Sequence, residues 1–148
     1  MPVTDAQAQA LRAFLDGAVD EMPALVYQLG DAEIAGYLCL ADAALSLLSC
    51  RRFPLYSNAD GVRYVASVRR ERLADGGAYD IDPVVGEHVM RSSLGVARPL
   101  HSAAERFRAV IALLGALSAA QLHTATDVDE LLRGARALAD QWLNRRDE

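Results

Sequence analysis

Apolar residues recur every three or four positions along most of this chain, which is the spacing of amphipathic helices. The first predicted helix spans residues 5–20, and Thr4 with Gln7 has the spacing of a capping box at its start. A short second helix is predicted from Pro23 to Gly30, because proline suits a first helical turn and glycine a helix end. The start of the chain is therefore predicted to be two helices with a short connection.

The most apolar stretch follows, and it predicts a long central helix over residues 31–50, capped by Asp31. Two adjacent apolar stripes run along it, so it should be buried on most sides, with a narrow polar edge that includes Asp42. The stripes consist of Ile34, Leu38, Ala41, Leu45 and Leu48, and of Tyr37, Leu40, Ala44 and Leu47. Cys39 and Cys50 share one face of this helix but lie about 16 Å apart, too far for a disulfide. Both are predicted to be buried free thiols.

The middle of the chain predicts a loop and two more helices. Residues 51–60 are rich in turn-forming residues, and a helix follows over residues 61–74. Asp82, followed by a proline, opens the next helix, which ends at Gly95.

Two longer helices are predicted to close the chain. One spans residues 103–122, with Ser102 and Glu105 as a capping box, and the other is capped by Thr126. Small residues on both would allow close approach as an antiparallel hairpin. These small residues are Ala112, Ala116, Ala120, Ala135 and Ala139. Since no segment alternates apolar and polar residues, the predicted fold class is all-α: a single-domain bundle of five to seven helices over residues 1–148, with a C-terminal antiparallel helical hairpin.

Composition and charge narrow the classes of function. The 148 residues are 52% hydrophobic, enough to build one core without disulfides or metal. The net charge of −5 argues against a surface that binds nucleic acid over the whole domain. All fifteen basic residues are arginine, which is typical of GC-rich bacterial genomes. The absence of lysine excludes lysine-based chemistry such as Schiff-base formation.

The charge is unevenly distributed along the chain. Residues 1–50 carry a net charge of −6, residues 51–108 carry +3, and residues 109–148 carry −2. Either the acidic and basic stretches face each other within the fold, or the middle stretch presents arginines to an acidic partner.

Neither a metal site nor a catalytic site is predicted. His88, His101 and His123 lack the short spacings of metal ligands. His88 shares an apolar face, where a lone histidine is more often a hydrogen-bonded core residue than a haem ligand. Nucleophile elbows and phosphate-binding loops are both missing from the sequence. We therefore predict no catalytic residues, no cofactor and no metal, and an enzyme is the less favoured class.

Membrane association is not predicted either. The longest apolar runs fall far short of the roughly 18 residues that a membrane span needs. The N-terminus lacks the apolar run of a signal peptide, so the expected location is the cytoplasm.

Residues 90–100 resemble the first helix and turn of a helix-turn-helix motif. Residues 94–96 would form the turn, and residues 98–108 would hold the reading helix. Arg91 and His101 stand where small and apolar residues are expected. A DNA-binding regulator is thus one alternative function, although nucleic acid is not the expected partner, and a small-molecule-binding bundle is another.

The leading functional hypothesis concerns the basic middle segment. In the predicted helix over residues 61–74, an apolar arc contains Arg69 and Arg72, which must pair with acids, extend to solvent or meet a partner. The arc consists of Val65, Ala66, Val68 and Leu73, counted from Val62. Arginine and tyrosine, which dominate protein interfaces, also occur in the preceding loop.

We therefore predict a non-catalytic protein-interaction module, such as a small adaptor, an accessory subunit or an inhibitor-type protein. Its partner would be another protein or a second copy of the chain. The predicted contact residues are Arg51, Arg52, Phe53, Tyr56, Arg69 and Arg72.

Overall fold

The computed structural model of the chain describes residues 2–17, 29–74, 81–96 and 103–147. Within these ranges the regular secondary structure is helical, without strands, and we number six helices in chain order. They are α1 (Asp5–Leu15), α2 (Asp31–Arg52), α3 (Asn58–Ala74), α4 (Pro83–Ser93), α5 (Ala103–Gln121) and α6 (Ala125–Asp147). The all-α prediction is therefore confirmed. Of the helix predicted from Pro23 to Gly30, all but the last two residues lie outside the described residues.

Helix α2 is the central element of the bundle, because α1, α4, α5 and α6 all pack against it. Its N-cap is Gly30, and Asp31 is the first helical residue instead of the predicted cap. Side chains buried along α2 include Leu40, Ala41, Ala44, Leu45 and Leu48, none more than 1% exposed. The two adjacent apolar stripes predict this burial on several sides. The apolar surface that α2 removes from water is a main source of stability.

One described segment, Glu33–Arg52, is long and apolar enough to cross a membrane by length and composition. The packed helices bury 56% of it, as they would the core helix of a soluble protein. This segment is therefore compatible with a soluble fold.

The predicted C-terminal hairpin is not confirmed. A short turn connects α5 and α6, but both pack chiefly on α2, and they are not among the closely packed helix pairs of the described residues. Small residues of α6 accommodate α2: the thiol of Cys39 lies 3.9 Å from the Ala139 carbonyl, and Leu47 packs over Gly134. Because α2 is apolar on several faces, it offers both helices more apolar surface than they offer each other.

Local capping signals are confirmed at two helix starts. The Thr4 amide donates to Gln7 Oε1 (2.8 Å), and the Gln7 amide donates to Thr4 Oγ1 (3.3 Å). Asp82 Oδ1 accepts from the amides of Val84 and Val85, at 2.9 and 3.2 Å. Both arrangements satisfy amides that have no partner within their helix.

Other boundaries differ from the prediction. Helix α1 ends at Leu15, before the predicted residue 20, and Gly17 follows with a φ of 79° that favours glycine. Helix α6 is capped by Thr124, whose hydroxyl accepts from the Asp127 amide (3.1 Å), and not by Thr126. The Asp127 carboxylate in turn accepts from the Thr124 amide at 3.1 Å. The predicted capping box of Ser102 and Glu105 lies outside the described residues and side chains.

The two cysteines differ, although both were predicted to be buried. Cys39 is 4% exposed and lies in the core. Cys50 is exposed, as are Arg51 and Arg52 after it in the last turn of α2. The prediction is therefore wrong for Cys50, because the pattern of one helix does not show which of its positions neighbouring elements cover.

Candidate interaction surface

The connection between α2 and α3 is shorter than predicted, because α2 continues to Arg52 and α3 begins at Asn58. The start of α3 is closed by a reciprocal pair of bonds between Ser57 and Asp60, each 3.3 Å long. A serine followed three residues later by a carboxylate is the signal that would have revealed this earlier start.

Aromatic side chains anchor this loop to α3. Phe53 is only 8% exposed, and its ring meets Tyr56 edge-on at 6.0 Å and Tyr64 at 5.4 Å between centroids. The guanidinium of Arg52 lies 4.9 Å from the centre of the Phe53 ring, within the range of a cation–π contact. Aromatic pairs of this kind contribute about 0.5–1.5 kcal/mol each beyond their buried area. The loop therefore has a defined conformation that buried rings support.

Tyr56 and Tyr64 also couple the loop to the first turns of α3. The Tyr56 hydroxyl packs where a side chain at Gly61 would otherwise lie, so only glycine permits this contact. Burial raises the pKa of Tyr64 to about 12, with nearby Arg52 acting in the opposite direction. Burial also raises the pKa of Tyr56. Both phenols are therefore neutral at physiological pH.

The tip of the loop is the most exposed apolar part of this region. Pro54 and Leu55 form the turn, and Leu55 is 91% exposed. An open groove of about 450 Å³ lies beside it. The groove is lined by residues that include Arg52, Phe53, Leu55, Asp60, Arg63 and Tyr64. Its lining thus combines the buried ring of Phe53 and the half-buried ring of Tyr64 with the charged side chains of Arg52, Asp60 and Arg63.

The surroundings of this groove are basic. Residues 51–74 hold six arginines and two carboxylates, a net charge of +4. Within the described part of the chain, Arg51, Arg63 and Arg70 form no ion pair. The basic stretch does meet the acidic one elsewhere, since Arg106 Nη2 lies 3.3 Å from a carboxylate oxygen of Asp42.

The structure separates the six predicted contact residues into three groups. Arg51 and Arg52 are exposed, and Tyr56 is half-buried beside them. Phe53, in contrast, is a buried support of the loop and offers little surface to a partner. Arg69 and Arg72 are half-buried, do not line the groove and make interactions within the fold.

Three residues of this surface were missed by sequence reasoning: Leu55, Arg63 and Tyr64. The dipeptide Pro54-Leu55 was a usable signal, because a leucine in a proline turn lies on no periodic apolar face.

The apolar arc predicted for α3 is only half correct. Val65 and Val68 are buried, at 1% and 3% exposed, but Ala66 is exposed and Leu73 is 64% exposed. The reason is the close approach of α4: a Cβ atom at Gly86 would lie 2.9 Å from a methyl group of Val65. This contact centres the buried face of α3 on Val65 and Val68.

The helix-turn-helix resemblance places a turn after α4, where Gly95 has a φ of 77°. Residues 98–102 of the predicted reading helix lie outside the described residues. Of the remainder, Arg106 binds Asp42, and the Phe107 ring contacts Tyr37 at 6.4 Å. These two side chains are thus engaged inside the fold, and DNA binding stays a prediction.

His88 is 7% exposed, and its Nδ1 lies 3.4 Å from Arg91 Nη2. Across the ranges that the structure describes, no group of three His, Cys, Asp or Glu side chains could hold a metal ion. His88 therefore takes the place of a core residue.

Fold and surface together define a small all-helical protein with a basic, partly apolar surface around the α2–α3 loop. No protein family, curated protein or solved structure matches this chain. Its function must therefore be argued from its own residues.

Proposed function

We propose that this protein is a non-catalytic interaction module of the cytoplasm, which binds another protein through the α2–α3 loop and the adjacent groove. The observation that carries the proposal is Leu55, an apolar side chain 91% exposed at the tip of a loop that buried rings support. Arg52, Arg63 and Tyr64 line the same groove as Leu55, and arginine and tyrosine are enriched at interface centres.

Preorganisation supports the same function. Binding orders flexible loops at a cost in conformational entropy, and a loop already held in place avoids part of that cost. Here Phe53 packs between Tyr56 and Tyr64, and Gly61 leaves room for the Tyr56 hydroxyl.

The charge of the surface favours an acidic partner. Arg51 and Arg63 flank the loop and groove without an ion pair among the described residues. Opposite charge on a partner would speed association and select against basic surfaces. We therefore expect binding to weaken as salt concentration rises.

A small-molecule-binding bundle is the second candidate, because the groove volume of about 450 Å³ falls within the range of ligand pockets. A ligand would raise the melting temperature of the protein in a concentration-dependent way. The groove is open to solvent, however, and its charged lining residues suit a protein surface better than a buried ligand.

The first experiment is native mass spectrometry of the protein purified gently from its host. A second polypeptide would support the proposal. A bare monomer, a homodimer or a small adduct would count against it. A nucleic-acid adduct would favour the DNA-binding alternative.

The binding site is tested with two variants of equal charge change. The loop variant combines Leu55→Glu with Arg52→Glu, and the control combines Ala137→Glu with Arg133→Glu on the exposed face of α6. The loop variant should bind the partner at least tenfold more weakly, about 1.4 kcal/mol, while the control binds as wild type. Equal binding by both variants would refute the site, and circular dichroism shows whether both are folded.

A further inference from the structure

Helix α3 exposes apolar side chains on a second face, which does not line the groove. Val62 is 46% exposed, Leu73 is 64% exposed, and Ala66 between them is exposed. We call these three residues the outer stripe. Burial of Val65 and Val68 against α4 leaves the outer stripe in solvent.

The spacing of the outer stripe suits a helical partner. At 100° per residue the three side chains fall within an arc of about 40°, and they span about 16 Å of helix axis, or three turns. Half-buried Arg69 lies on the same arc between Ala66 and Leu73, and the apolar anchors on either side of it have the spacing along which an amphipathic helix can dock lengthwise.

A basic edge runs along one side of the outer stripe. Arg63 and Arg70 are seven residues apart, both are exposed, and they lie about 70° around the helix from the stripe. Neither forms an ion pair among the described residues. Unpaired cations beside an apolar stripe complement a helix that carries carboxylates along one edge.

We propose that the outer stripe binds an amphipathic helix of the partner protein, with its apolar face on Val62, Ala66 and Leu73 and its acidic edge against Arg63 and Arg70. This proposal rests on the function proposed above and adds the kind of partner. A nucleic-acid duplex would contact only the basic edge and would leave Leu73 uncovered. The apolar half of the surface therefore favours a protein helix.

The test uses the full chain labelled with ¹⁵N and two synthetic stapled helices of eighteen residues. One peptide has a leucine stripe with glutamates along one edge, and the other has lysines in their place. The glutamate peptide should shift the amide signals of residues 62–73 in a saturable manner. The lysine peptide should bind on the order of tenfold more weakly or not at all.

Variants test the placement. Leu73→Ser with Arg70→Glu should weaken binding of the glutamate peptide on the order of tenfold, whereas Ala137→Ser with Arg133→Glu should leave it unchanged. The same two variants are then compared on the native partner. Neither Arg70 nor Leu73 lines the groove. Partner binding that is lost only in the variant with Leu55→Glu and Arg52→Glu would therefore refute docking of a partner helix on the outer stripe. The proposed function would still stand.

Further results would overturn the proposal: no shift at millimolar peptide, shifts confined to residues 52–55, equal binding of both peptides, or a twenty-base-pair DNA duplex that binds residues 62–73 more tightly. Analytical ultracentrifugation of the protein without peptide tests whether a second copy of this chain covers the outer stripe instead. A dimer that Leu73→Ser dissociates would mean that a second copy of this chain covers the outer stripe.

Discussion

Arginines on two sides of this molecule have opposite surroundings. Where α1 meets α6, Arg12 forms an ion pair with Asp129, and Arg136 lies 2.9 Å from a carboxylate oxygen of Asp5. Arg136 also donates to the carbonyl of Val3, at 2.8 Å. At the last turn of α2 and on the exposed face of α3, no carboxylate of the described residues pairs with the guanidinium groups of Arg51, Arg63 and Arg70.

The difference shows that residue type alone does not assign a role to these arginines. On the α1–α6 side they connect the start of the chain to its last helix, through exposed pairs worth about 0–1 kcal/mol each. On the α3 side they contribute charge without an internal partner. The first group belongs to the fold, and the second group is the one we assign to binding.

The largest expected effect separates a leucine of the fold from a leucine of the surface. Leu131 on α6 is fully buried, whereas Leu55 is 91% exposed. Leu131→Ala should lower the free energy of unfolding by about 2–5 kcal/mol, because it removes packed methyl groups and leaves a cavity. Leu55→Ala should change it by less than about 0.5 kcal/mol. Urea unfolding of both variants measures the contrast.

A comparable loss of stability in both leucine variants would contradict the assignment of Leu131 to the fold and of Leu55 to the surface. Leu55 would then have an internal role, and its exposure would no longer be evidence for a binding surface. The identical chemical change makes each variant the control for the other.

The second prediction compares Gly86 of α4, which faces α3, with Gly115 of α5, which faces α1. At Gly86 a Cβ atom would lie 2.9 Å from Val65, whereas at Gly115 the nearest contact, Phe14 of α1, would be an ordinary 3.5 Å. Gly86→Ala should therefore destabilise the protein by about 1–3 kcal/mol through overpacking. Gly115→Ala should stabilise it by up to about 1 kcal/mol, because alanine is the better helix former. Thermal unfolding measures whether each variant melts at a lower or a higher temperature than wild type. Two shifts of the melting temperature in the same direction would be inconsistent with this packing.

The success of sequence reasoning depended on how local each feature is. The Thr4–Gln7 capping box, the Asp82 cap and the central place of α2 follow from residues a few positions apart, or from one continuous apolar helix. The exposure of Cys50 does not, because it depends on which positions of α2 the rest of the fold covers.

The candidate surface was predictable only in outline, for the same reason. Arginine-rich residues 51–72 were visible in the sequence, but Phe53 and Leu55 were not distinguishable as buried and exposed. The burial of Phe53 depends on Tyr64, which meets the loop only in the folded chain. The packing of α5 and α6 on α2 likewise depends on a competition for apolar surface that neither helix shows alone.

The third prediction concerns the arginines directly. Arg136→Ala removes the contacts to Asp5 and Val3, and should lower the free energy of unfolding by about 0.5–1.5 kcal/mol. Arg70→Ala is the matched control, and it should leave stability within about 0.5 kcal/mol. Urea unfolding at low and high salt is the measurement, and the Arg136 effect should shrink with salt. If Arg70→Ala costs as much as Arg136→Ala, Arg70 has a structural partner and is not free for binding.

The smallest expected effect is electrostatic and lies at the start of α6. Backbone amides of His123 and Thr124 donate to the Asp127 carboxylate and hold its pKa below the usual range for an aspartate. A group whose folded-state pKa is depressed adds stability above its unfolded pKa, near 3.9, and loses it as pH falls through the folded value. Wild type should therefore exceed Asp127→Asn in stability by a constant margin above about pH 5, and the margin should shrink as pH falls below about 4.

Urea unfolding at several pH values measures this margin. An equal margin at pH 3 and pH 6 would mean that the charge of Asp127 contributes nothing to the cap. The carboxylate would then, like the guanidinium groups of Arg63 and Arg70, lack a structural role, and the contrast between the two regions would not extend to the start of α6.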